Sequence, residues 1–172
     1  MMNKILTQIA LFVFFVLVQV LILNNIELGA GTQIMIYPLF VLLLPVGMNV
    51  FLLLFLSFLL GLSIDAMSNT YGLHASALLV VAFVRPMIFK LTSPRDGYEQ
   101  IYSANIYVMG VPWMVKTLGL LLLIHHFWFF LLELFKLSEV LYLLQKTLLS
   151  LPMSFVICIL LQYLFIKKPK AT

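Results

Sequence analysis

Gly61-Leu-Ser-Ile-Asp-Ala-Met-Ser-Asn-Thr-Tyr-Gly-Leu-His-Ala-Ser76, continued by Ala82-Phe-Val-Arg-Pro86, sets an acid, an amide, an imidazole and a guanidinium into a chain that is otherwise almost hydrocarbon. Of its 172 residues, 64% are hydrophobic and 9% charged, against roughly 25% charged in a soluble domain. Too few charges remain to cover a water-facing surface. The chain therefore reads as an all-α polytopic membrane protein of one domain. A formal net charge of +4 is too slight to indicate nucleic-acid binding and serves instead as a clue to orientation. The single Cys158 lies in an apolar run, so no disulfide framework exists and the residue reads as small packing.

Working outward from that stretch, apolar runs of about 20 residues mark helices able to cross a bilayer core of about 30 Å. Six are expected, over about 4–23, 34–46, 50–66, 73–91, 111–135 and 143–166. The first follows a short basic start, Met-Met-Asn-Lys4. It is longer than a secretory h-region, and Asn24-Asn-Ile-Glu-Leu28 offers no cleavage site, so it reads as an uncleaved span. The second is short for a full crossing and contains Pro38 and Pro45, so it is expected to be kinked, tilted or partly re-entrant. Thr92 to Tyr107 is the most soluble-looking stretch, and its Tyr98, Tyr102 and Tyr107 suit a membrane–water interface. Glu133, Lys136, Glu139 and Lys146 read as a mixed-charge connector between the last two spans.

Basic residues near helix ends orient such a chain. With the N-terminus inside, Lys4, Lys90, Arg95, Lys167, Lys168 and Lys170 gather on the cytoplasmic side, and only Lys136 and Lys146 on the other. That balance favours six crossings with both termini cytoplasmic, and the second segment is the link on which the parity depends.

In this topology Asp65 sits at the outer end of the third helix. Ser57, Gly61 and Asp65 follow at i, i+4 and i+8 and share one face. Small residues on one face let another backbone approach closely. The sharper reading is a close-packed seam that ends in a carboxylate needed by another macromolecule. The plainer one is a helix end, with Asp65 near water and Asn69 and Gly72 forming the turn. His74 opens the fourth helix, and Arg85 lies about three turns below it on the same face. Arg85 is about 20 Å from Asp65 if the helices are straight. It is expected to meet a backbone carbonyl exposed by a proline, Pro86 being its neighbour, or to snorkel towards the cytoplasm. His125-His126 point about 100° apart on one helix and do not form a metal pair. One is expected to face a polar interior and the other a partner or headgroup. Lys116 reads as interfacial, and Phe127-Trp-Phe-Phe130 as a membrane belt or packing surface.

Enzyme signatures are missing. Ser63, Asp65 and His74 come without a Gly-x-Ser-x-Gly elbow, and the chain carries no His-Glu-x-x-His, P-loop or dinucleotide fingerprint. No cofactor and no metal site is expected.

Gly61, Leu62, Asp65, Gly72 and Leu73 follow the pattern Gly-Leu-x-x-Asp at a helix end with a Gly-Leu turn into the next helix. With Arg85-Pro86 and Asn24-Asn-Ile26, this resembles the MreD family, small inner-membrane subunits of the bacterial cell-shape (elongation) machinery. The resemblance implies a bundle of six helices similar to the substrate-binding subunit of energy-coupling-factor transporters. It also implies a non-enzymatic scaffold that couples peptidoglycan synthesis to the cytoplasmic filament. The implied partners are a single-span, MreC-like periplasmic protein and, indirectly, RodA, the elongation transpeptidase and MreB. By that analogy Ser57, Gly61, Asp65, Asn69, Gly72, His74, Arg85 and Pro86 are candidates for an outward-facing pocket or a partner surface. The rival function is a small-molecule-binding subunit of a transporter.

Overall fold

Five helices are long and apolar enough to cross a membrane, and they carry the architecture of this computed structural model, which describes residues 2–26, 28–29, 31–94, 97–98 and 104–166. They are α1 (Met2–Leu21), α3 (Val50–Ser68), α4 (Leu73–Leu91), α6 (Val111–Leu134) and α7 (Val140–Phe165). Two short helices, α2 (Pro38–Leu43) and α5 (Ile106–Met109), lie in the connections, and no strand occurs among the described residues. Asn49 starts α3 by accepting the Phe51 N–H at 2.8 Å, and Asn105 starts α5 by accepting from Tyr107 and Val108. Short polar side chains at these positions satisfy backbone donors that a first helical turn leaves open.

α3 packs along α4, α4 along α6 and α6 along α7, with α1 against α3. Half of the α4 span and 44% of α6 are buried, but only 22% of α1 and of α7. α4 and α6 are therefore central. The outer helices turn residues such as Ile5, Leu6, Leu141 and Leu164 outward, as a lipid-facing surface requires.

The expected helix over 34–46 is not one helix. Only Pro38–Leu43 is helical, and the residues on either side are irregular. Yet every residue from Ile34 to Leu44 is buried, so this segment is the centre of the molecule. Pro45 and Pro38 explain the broken form, because each removes a helical donor. The segment runs beside α4: Tyr37 bonds His74 in its first turn, and Arg85, farther down, donates to Leu42, Leu44 and Pro45. Eleven helical residues between His74 and Arg85 correspond to about 16 Å of descent.

Irregular backbone at membrane depth is tolerated only where protein groups satisfy it. α7 does this with a stripe of polar or small residues at four-residue spacing. Ser150 accepts the Gln33 N–H at 3.0 Å, and Ser154 accepts the Met35 N–H at 2.9 Å. Cys158 makes a long, weak contact with the Ile36 carbonyl at 3.8 Å, and Gln162 accepts the Ile106 N–H at 3.0 Å. From the other side Gln19 of α1 clamps the segment, donating to the Ile34 carbonyl at 2.9 Å and accepting the Ile36 N–H at 3.1 Å. These side chains are all buried. Their polarity serves the core.

Of the basic residues in the orientation argument, Arg95, Lys167, Lys168, Lys170 and the side chain of Lys4 lie outside the described residues, as does Tyr102. Lys90 and Lys136 are exposed. Lys146, by contrast, is not in a connector. It is a buried residue of α7, paired with Glu133 of α6.

Candidate functional site

Ser57, Gly61 and Asp65 are buried on one face of α3, and that face is covered by α4 of the same chain. A Cβ placed on Gly61 would run into the Ala75 Cα, with the Ala75 nitrogen at 2.6 Å and the His74 carbonyl carbon at 2.8 Å. Glycine is thus required for the approach of two backbones. One turn on, the Asp65 carboxylate accepts three hydrogen bonds. Oδ1 takes the Thr70 hydroxyl at 2.7 Å and the His74 N–H at 3.1 Å, and Oδ2 takes the Ala75 N–H at 2.8 Å. Asp65 therefore caps α4 from the neighbouring helix, at the end where the dipole favours negative charge. The seam is filled from within the chain. Asp65 is buried, and its carboxylate oxygens are engaged by donors of its own chain.

Asn69, exposed, ends α3 in the left-handed region at φ 54°, and Gly72 enters α4 at φ 89°. Both are turn residues. His74 is buried, and its Nδ1 lies 2.6 Å from the Tyr37 hydroxyl. The only other partner of that hydroxyl among the described residues is the poorer acceptor Met35 Sδ, at 3.7 Å. Tyr37 therefore donates to Nδ1, and the proton of His74 resides on Nε2.

Arg85 is fully buried and does not meet Asp65. Its Nη2 donates to the Leu44 carbonyl and lies 3.3 Å from those of Leu42 and Pro45, while the guanidinium covers the Phe89 ring at 4.4 Å. Carbonyls at a helix C-terminus lack intrahelical donors, and the N–H groups of Nη2 supply them, while the Arg85 Nε has no partner among the described residues. The acceptors belong to the Pro45 segment and not to the turn preceding Pro86, which is exposed on the outside of α4.

His125 and His126 are both buried, so neither faces lipid. His126 donates from Nδ1 to the Leu122 carbonyl at 2.7 Å, which leaves Nε2 to accept from the Ser154 hydroxyl at 3.0 Å. The same Ser154 oxygen accepts Met35 N–H, so a neutral imidazole completes the support of the central segment. His125 lies edge-on to Tyr37 at 4.9 Å, and neither of its ring nitrogens has a partner among the described residues. Phe129 and Phe130 are core, whereas Phe127 is exposed. Tyr98 stacks on Phe89 and accepts the Trp113 indole N–H at 3.0 Å.

Three open recesses stand out, one of them of about 720 Å³ beside Thr92, Pro94, Trp113 and Lys116. At the end of the bundle holding His74 is a cavity of about 400 Å³ lined by Asn24, Asn25, Gln33, Thr70, His74 and Glu133, among others. Near the Arg85 end, between α1 and α3, is an apolar groove of about 350 Å³ that includes Ile9, Phe12, Phe40, Leu44, Pro45 and Leu52. Gln8 also lines it, and the Gln8 Oε1 is buried without a hydrogen-bond partner among the described residues. Neither Gln8 nor the α7 stripe stands out by residue type. The stripe carries one signal in sequence, its four-residue spacing over 150, 154, 158 and 162. Compared with protein-family models, with curated proteins and with solved structures, the chain matches none.

Proposed function

We propose that this chain is a non-enzymatic scaffold subunit of the bacterial cell-shape (elongation) complex. It would sit in the inner membrane by six crossings with both termini cytoplasmic, and hold the transmembrane helix of a single-span, MreC-like partner. MreB, RodA and the elongation transpeptidase would join through that partner. The descent of Tyr37–Pro45 beside α4 supports counting this segment as the second crossing, which puts α3 and α6 parallel to α1. The resemblance in Gly61–Ser76 supports the family, although Gly61 and Asp65 then act within the subunit and not on the partner.

One observation carries the docking role: the α1–α3 groove, apolar along its length, with the unpaired Gln8 Oε1 in its wall. An unsatisfied amide oxygen in hydrocarbon is costly. A partner helix with a small or hydroxyl-bearing face fills the groove and supplies the missing donor. The test is site-specific photo-crosslinking from Ile9 and Leu52 in native membranes. The reading expects adducts with one single-span protein, weakened by Gln8→Leu. Adducts with lipid alone, or equal protein adducts from Leu148 on α7, would overturn it.

A further inference from the structure

The cavity at the His74 end goes beyond this scaffold role, and its chemistry can be read from which hydrogen-bonding atoms are already occupied. Asn24 accepts from Gln19 at 2.8 Å and donates to Ser68 at 2.8 Å. The Thr70 hydroxyl is donated to Asp65. Asn25 directs its amide N–H groups to the carbonyls of Val20 and Leu21, at 3.0 and 3.1 Å, and Gln33 directs its own to Glu133 at 3.1 Å. These amide donors and the Thr70 hydroxyl are therefore already taken by acceptors of the protein. The Asn25 Oδ1 and Gln33 Oε1 accept nothing among the described residues. His74 and Ser68 contribute the opposite polarity: with Nδ1 held by the Tyr37 hydroxyl, His74 has Nε2–H as its remaining ring donor, and the Ser68 hydroxyl, which accepts from Asn24, donates to nothing among the described residues.

Charge narrows the choice. Glu133 lines the cavity, but Lys146 and Gln33 bind its two oxygens, and the Lys146 ammonium is further held over the Phe130 ring at 4.6 Å. An acidic ligand would meet this carboxylate, and an amine would find it already neutralised. A volume of about 400 Å³ falls within the range of about 300–1,000 Å³ typical of small-molecule sites. We infer that this cavity binds a small uncharged, hydroxyl-rich molecule of the sugar or polyol class, through hydroxyl donation to Asn25 and Gln33 and acceptance from His74. Hydroxyl groups both donate and accept, so adjacent ones match open acceptors and open donors set side by side.

The probe set is glucose, glucosamine and glucuronate, one ring in three charge states, measured by saturation-transfer NMR on the full chain in detergent. The inference expects a saturable glucose signal that falls at least fivefold in Asn25→Leu and in Gln33→Leu. Both variants should keep the parent's circular dichroism and thermal midpoint within a few degrees. Stronger binding of glucosamine or glucuronate overturns the uncharged class. No saturable signal from any probe, or glucose binding unchanged in both variants, overturns the site. Photo-crosslinking from the α1–α3 groove is run on the same variants. Intact crosslinking with lost glucose binding, or the reverse, separates failure here from failure of the scaffold role.

Discussion

Asp65 of α3 accepts the backbone N–H of Ala75 in α4 at 2.8 Å, so the carboxylate caps a helix other than its own. With the Thr70 hydroxyl and the His74 N–H on its second oxygen, it closes the α3–α4 turn. Asp65→Ala leaves these donors unpaired. Loss of an N-cap costs about 0.5–2 kcal/mol, and stranding a buried donor about 1–3 kcal/mol. The expected destabilisation is on the order of 3 kcal/mol. Asp65→Asn keeps one acceptor oxygen and is expected to lose about half as much. Denaturant unfolding in mixed micelles, followed by tryptophan fluorescence, measures both. A neutral Asp65→Ala would contradict the capping role.

Gly61 and Gly119 give opposite expectations for one chemical change. A Cβ at Gly61 collides with the Ala75 backbone, which cannot yield as a flexible side chain does, whereas nothing lies within 4 Å of a Cβ at Gly119. Gly61→Ala is expected to push α4 from α3 and lower stability by about 1–3 kcal/mol, the usual cost of overpacking. Gly119→Ala, mid-helix in α6, is expected to be neutral or to raise stability by up to about 1 kcal/mol through helix propensity. Thermal melts of the two variants side by side check the contrast.

Arg85 holds the lower end of the central segment. Arg85→Met removes the donor shared by the Leu42, Leu44 and Pro45 carbonyls. Hydrogen bonds to charged groups contribute about 1.5–3 kcal/mol, so a loss of about 3 kcal/mol is expected. Arg85→Lys keeps the charge without the planar fork, and its loss is expected to be intermediate. If Arg85→Lys were as stable as the parent, the guanidinium geometry would have no part in stability. The same unfolding measurement decides this.

Long apolar helices are legible in the sequence because lipid forces unbroken apolar runs and internally bonded backbone. The segment over 34–46 is not, since an apolar run with two prolines reads equally as a kinked helix or as irregular chain, and only its neighbours decide. Those neighbours, Gln19, Ser150 and Ser154, are ordinary polar residues scattered through apolar helices; their common purpose depends on a segment more than a hundred positions away from α7. Asp65 and Arg85 stand out as costly charges, and both are buried at structural junctions. What sequence does not show is that Asp65 satisfies the next helix instead of a partner. That depends on Thr70, His74 and Ala75 folding back within the turn. The groove and the cavity at the His74 end are likewise invisible in one dimension, since each joins residues from distant helices.

The central claim is that polar side chains inside the bundle hold an irregular segment at its core. Hydrogen–deuterium exchange of the amides of Gln33, Met35 and Ile36 tests it most directly, because their acceptors are the side chains of Ser150, Ser154 and Gln19. These amides are expected to exchange as slowly as the interior of α4. The double variant Ser150→Ala, Ser154→Ala should speed exchange at Gln33 and Met35 while leaving α4 unchanged. Fast, loop-like exchange at these positions in the parent protein, or no response to the double variant, would contradict the claim.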